Sequence, residues 1–161
     1  MAHLFKNSYY EGLLQDLFCG KDGFFTVFMH FFYQKNQIFI NYPDYDKSFC
    51  ELLSIELKVC ESVSKVIIEL GGDAKFYSST KKYISGSGVD YVKNLASMLE
   101  LDIELIEKNI IDLKSVYSKI ENGNIRASLN EILILKNEEI NILKNCFLSL
   151  ENINNKKIYK K

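Results

Sequence analysis

Apolar residues recur every three or four positions along most of this 161-residue chain, which is the period of an amphipathic helix, and period-two alternation is almost absent. The first such stretch is short, from Tyr9 to Cys19, and Gly20-Lys21-Asp22-Gly23 ends it with residues suited to a helix stop. A second helix is predicted from about Gly23 to Phe39. The only proline, Pro43, lies in the turn NYPDYD, where Asp44 or Asp46 can cap a long helix from about Lys47 to Leu70. Gly71-Gly72 stops that helix. Asp73 to Val89 is polar, contains SGSG and reads as the longest irregular link. Two more helices follow, from Asp90 to about Glu121 and, after Asn122-Gly123, from Asn124 to Asn152. Four amphipathic helices joined by two short turns and one long link predict an antiparallel four-helix bundle in which the link crosses from one end to the other. The Tyr9–Cys19 helix is an addition at the N-terminal side. The domain spans residues 1–152, and 153–161 form a basic tail.

The same spacing selects the buried stripes. Leu52, Glu56, Val59, Val63, Val66 and Leu70 share one face, as do Leu99, Asp102, Ile103, Ile106, Ile110, Leu113 and Tyr117. In the last helix Leu129 and Ile132 lead into Leu135, Glu138, Ile142 and Cys146. Glu56 and Glu138 are therefore expected to point inward, where a carboxylate needs a partner. The alternative in the last helix is that Glu139 takes the inward direction, with both glutamates in solvent. Two facing carboxylates could share a proton, or hold one cation with help from Asn141, Asp102 or Cys60. The Gly23–Phe39 helix is richer still in apolar residues. Phe24, Phe25, Val27, Phe28, Met29, Phe31 and Phe32 cover an arc of about 200°, wider than the stripe an edge helix needs. The leading helix, a second subunit or an apolar ligand must cover the excess. Phe25, Met29 and Phe32, on the edge away from Phe24 and Val27, are the residues expected at a homo-oligomer contact.

Composition narrows the function classes. With 47% hydrophobic and 25% charged residues the chain is ordinary globular material, and its formal net charge is -1. Its single arginine is Arg126, so the bidentate forks that read phosphates and guanines are nearly absent and nucleic-acid binding is not expected. No segment has the ~20 uninterrupted apolar residues of a membrane span, and MAHLFKN is not a signal sequence, so a cytoplasmic location is expected. Cys19, Cys50, Cys60 and Cys146 are too scattered for a zinc site or a disulfide framework and read as reduced thiols. His3 and His30 are the two histidines. His30 falls beside the apolar stripe of its helix, and a single internal histidine leaves no Ser-His-Asp or Cys-His constellation. Gly86 and Gly88 lack the surroundings of a phosphate loop, and Lys156, Lys157, Lys160 and Lys161 read as a solvated tail.

GKDGFFTVFMHFFYQ (20–34), IELKVCESVSKVIIELGGD (55–73), MLELDIELIEKNI (98–110) and ILKNEEINIL (134–143), in this order and spacing, resemble the manganese-catalase-like branch of the ferritin-like superfamily, including its small spore-coat relatives. The resemblance implies a bundle whose core holds two metal ions on a lone Glu from each of two helices and a Glu-x-x-His pair from each of the other two. Carried over by position, the first lone Glu falls on Phe24 and the second on Ile106. The first pair falls on Glu56 and Val59, and the last on Glu138 and Asn141. Two of the six ligand positions thus keep a ligand, and Glu-x-x-His occurs nowhere in the chain. What the resemblance implies is a ferritin-like protein that has lost its dimetal site, with no cofactor, acting as a structural or assembly protein among itself or with coat proteins, with incorporation in a spore coat as the extension of that expectation. The competing expectation is an iron- or manganese-dependent oxidoreductase or catalase-like enzyme with an atypical ligand set.

Overall fold

A computed structural model describes residues 6–158, with side chains as far as residue 154. His3, Lys160 and Lys161, and the side chains of Lys156 and Lys157, lie outside the described residues. The described residues form five α-helices: α1 (Ser8–Cys19), α2 (Phe24–Asn41), α3 (Asp46–Glu69), α4 (Leu95–Lys119) and α5 (Gly123–Ile158). Each expected helix is present, and most ends move by a few residues for local reasons. Neither Asp44 nor Asp46 caps α3; a 3-10 turn at Pro43–Tyr45 feeds into it and no side chain caps its first turn. α4 starts later than expected because Asn94 is its cap, accepting a hydrogen bond from Ser97 N–H at 3.1 Å. Asn122 Oδ1 does the same for α5, taking the N–H groups of Asn124 and Ile125. α5 continues to Ile158, so the segment expected as a tail begins as helix.

Two apolar clusters fix how the helices run. One joins the start of α2 (Phe24) and the ends of α3 (Val63, Val66, Ile67) and α4 (Leu113, Val116) to the start of α5 (Leu129, Ile132), with Leu14, Leu17 and Phe18 of α1 packed in. The other joins the end of α2 (Ile38), the starts of α3 (Phe49, Leu52) and α4 (Leu95, Met98, Leu99) and the latter half of α5 (Ile140, Leu143, Cys146). α3 and α4 therefore run in the same direction, and the segment between them traverses the bundle lengthwise. α2 packs on α3 and α4, and α5 on α3 and α4, so each helix is antiparallel to its neighbours. This is the crossover topology expected from the link length.

The link is anchored by polar contacts with the helices. Gln15 of α1, 1% exposed, donates through Nε2 to the carbonyls of Lys75 and Tyr77 at 2.7 and 2.6 Å. Asp16 accepts from the Ser79 N–H and hydroxyl. His30 of α2, expected beside the apolar stripe, is in fact buried: its Nε2 accepts from Asp90 N–H at 2.8 Å. That bond makes Nδ1 the protonated nitrogen of a neutral ring, and burial lowers the His30 pKa despite the charges of Asp90 and Asp22.

Candidate functional site

At mid-bundle the expected stripe of α3 is observed in full: Leu52, Glu56, Val59, Val63, Val66 and Leu70 are all buried. α5 differs from the expectation by one residue. Glu138 and Asn141 face solvent, while Glu139 is completely buried. Leu135 and Ile142 are half-buried, and the innermost line is Leu129, Ile132, Lys136, Glu139, Leu143 and Cys146. Lys136, which the sequence reading did not place, sits at the centre of this line with no exposed surface.

Three charged side chains therefore meet in the core. Lys136 Nζ is in direct contact with Glu56 Oε2 across the α3–α5 interface and lies 3.1 Å from Glu139 Oε2, one turn along its own helix. The face of the Phe24 ring lies 4.8 Å from the same Nζ, a cation–π contact within the usual reach. Val59 and Ile106 are fully buried and apolar. Glu56 Oε1 and both Glu139 oxygens receive no conventional hydrogen bond among the described residues.

The charges of this triad can be assigned from its surroundings. Burial raises the Glu139 pKa well above the carboxylate range, the Glu56 charge raises it further, and Lys136 opposes both. Burial alone would pull Lys136 down, but the two carboxyls outweigh it and hold the amine protonated. One ammonium and two carboxyls sharing one proton make a neutral group, which is the condition for keeping three ionisable side chains out of water. Cys60, one residue beyond Val59, is a thiol pushed up by burial and then by Glu56.

A dimetal centre needs four carboxylates and two imidazoles. The cluster around Lys136 offers two carboxyls, and an ammonium lies between them, so the donor set does not fit such a centre. Among the described residues no three His, Cys, Asp or Glu side chains are grouped to hold a metal ion. Asp102, weighed from sequence as a cation ligand, instead accepts a 2.9 Å bond from Gln34 Nε2 of α2. Burial pushes its carboxyl up to about 8 against the opposing effect of Gln34, so it is a protonated acid at neutral pH.

The residues expected at a subunit contact divide. Phe25 is half-buried, stacked on Phe76 of the link with centroids 4.6 Å apart and edge-on to Phe18 of α1 at 6.0 Å. Its apolar surface is taken up within the chain. Met29 is half-buried and Phe32 is 57% exposed. With Phe28, Tyr33, Val89 and Tyr91 they line a shallow apolar cavity of about 280 Å³. Among the described residues no helix is long and apolar enough to cross a membrane.

Comparison with solved structures identifies the fold. The wild-type manganese catalase KatB from Anabaena superimposes with a TM-score of 0.82 at 13% sequence identity, covering 91% of this chain and 74% of that one. A second structure of KatB, from Anabaena PCC7120, superimposes with a TM-score of 0.81 at 13% identity over the same shares. No family model matches the chain, and no curated protein matches it. The chain thus has an all-α, ferritin-like bundle fold, similar to that of these manganese catalases. At this identity the likeness speaks for the fold alone.

Proposed function

We propose that this is a non-catalytic ferritin-like protein that has exchanged its dimetal site for an internal ion cluster and serves as a structural or assembly component. The observation that carries the reading is Lys136: an amine with no exposed surface, held protonated by contact with Glu56 and Glu139. In a dimetal bundle the cations neutralise the core carboxylates. Here one ammonium does so, and Phe24, Val59 and Ile106 fill ligand positions with side chains that pack and coordinate nothing. The last ligand pair, taken from sequence as Glu138 and Asn141, is better matched by Glu139 and Ile142, the pair at the same spacing that lies one residue further on.

Assembly is the role most compatible with what remains. Met29, Phe32 and Tyr91 leave apolar surface open along α2 and the link, and a symmetric contact between two copies is the commonest use of such a patch. Incorporation into a spore coat extends this reading by family resemblance. The competing proposal, an iron- or manganese-dependent oxidoreductase, requires the ammonium to leave the core and carboxylates to replace it.

Metal analysis separates the two. Protein produced with added iron and manganese and then desalted is expected to carry well under one metal per chain and to leave hydrogen peroxide undecomposed. Two metals per chain with peroxide turnover would overturn the proposal.

A further inference from the structure

Lys136 and Glu56 are an amine and a carboxyl pressed together in a dry core, with a third group able to move protons beside them. Nζ touches Oε2, one bond from the Glu56 carboxyl carbon, and both side chains have no exposed surface. Glu139 Oε2 is 3.1 Å from the same nitrogen, and the Glu139 oxygens have no other partner among the described residues. Phe24, Val59, Cys60 and Ile132 belong to the cluster around them. We propose that Lys136 and Glu56 condense to an amide, cross-linking α3 to α5 through the core with Glu139 as the proton carrier. The inference rests on the reading above that the core holds an ammonium and no metal.

The step balances within the triad. Passing one proton from Nζ to Glu56 turns the ion pair into a neutral amine and a neutral acid, with no exchange with solvent and no change in total charge. The neutral pair is the minor form, since the two carboxyls hold the amine protonated, but it is the form that reacts, and it is reached without moving charge to or from solvent. The Nζ lone pair then attacks Glu56 Cδ and forms the C–N bond. Glu139 accepts a proton from Nζ through one oxygen and delivers its own to the departing hydroxyl, the C–O bond breaks, and one water leaves. Glu139 ends protonated, as it began, and nothing is oxidised or reduced. In bulk water the reverse reaction prevails, but fixed contact between the groups replaces a bimolecular encounter and the apolar walls keep water from returning. The consequence suits a structural role, since residues 80 apart in sequence become joined and the unfolded chain is constrained much as by a disulfide.

Intact mass spectrometry of the purified full chain under denaturing conditions tests this, with metal content measured on the same sample. The expected result is a metal-free protein lighter than its sequence by one water, after allowing for the initiator methionine. A tryptic digest should contain a branched peptide joining the Glu56 and Lys136 segments, uncut at Lys136. Glu56→Gln should form the same link by losing ammonia in place of water. Glu139→Gln, which cannot relay a proton, should keep its helical circular dichroism and show the full sequence mass. Folded, metal-free wild-type protein that retains its full mass after prolonged incubation would overturn the proposal and leave the ion cluster intact. A metal-loaded core of full mass would overturn both it and the reading on which it rests.

Discussion

Measured against wild-type protein that still has its full sequence mass, replacing Lys136 with Met removes the ammonium while keeping nearly the length and volume of the side chain, so its effect isolates the charge. Glu56 and Glu139 would remain buried with no cation between them. Removing one member of a buried ion pair costs about 3–5 kcal/mol. A domain of this size has on the order of 5–15 kcal/mol in total, so the loss is a large fraction of it and lowers Tm by roughly 6–20 °C. The cost should depend on pH. An acid whose folded pKa is raised, as Glu139's is, contributes stability below its unfolded pKa and loses it as pH rises through the folded value. Without Lys136 nothing opposes the rise of the Glu139 pKa, so the destabilisation should grow from mildly acidic to neutral pH and shrink again in acid. The informative companion is Glu56→Leu/Lys136→Met/Glu139→Leu, which replaces the whole cluster with apolar groups and should be neutral to about 4 kcal/mol more stable than wild type. Urea unfolding followed by far-UV circular dichroism measures all three proteins, with equal m-values confirming that the same surface is exposed. A Lys136→Met protein within about 1 kcal/mol of wild type at neutral pH, well below that estimate, would refute the buried triad as the charge balance of this core.

Three further outcomes follow from other parts of the molecule. Asp102→Asn keeps an acceptor for Gln34 but cannot titrate; since the Asp102 carboxyl rises from 3.8 to about 8, wild type should lose a few kcal/mol as pH climbs through that window. The variant should lack this component, and parallel stability curves for the two proteins would contradict the assignment. Phe32→Glu should shift the particle size in light scattering at micromolar concentration toward monomer without changing thermal stability appreciably, since the ring is 57% exposed; an unchanged size would exclude this patch as the contact. Of the four free thiols, Cys50 alone is exposed, whereas burial pushes Cys19 up to about 12 and also raises Cys60 and Cys146. A thiol-reactive reagent should thus modify one cysteine per native chain, and rapid modification of two or more would show the core to be open.

Hydrophobic periodicity and turn residues by themselves determined the helices, their order and the crossover. Those features depend on near neighbours in sequence: three- and four-residue spacing, Gly and Asn at helix ends, and a link too long for a tight turn. On α3 and its cap Leu70 every expected stripe position is buried, Glu56 included, although Phe49, Ile55, Cys60 and Ile67 widen the buried face beyond that stripe. The stripe of α5 was not legible in this way. Continuing Leu129 and Ile132 by alternating steps of four and three leads to Lys136, Glu139, Leu143 and Cys146, but a lysine at the centre of a buried stripe costs too much to expect from local sequence. The alternative through Leu135, Glu138 and Ile142 looked more apolar and was off by one residue. What makes Lys136 tolerable inside is Glu56, 80 residues away, together with the Phe24 ring on a third helix. His30 is a parallel case, buried because the backbone of the crossover link supplies its partner at Asp90. Amphipathic spacing is a local property and could be read along the chain. Whether a charge or an imidazole can leave water depends on partners that only the tertiary fold brings within reach.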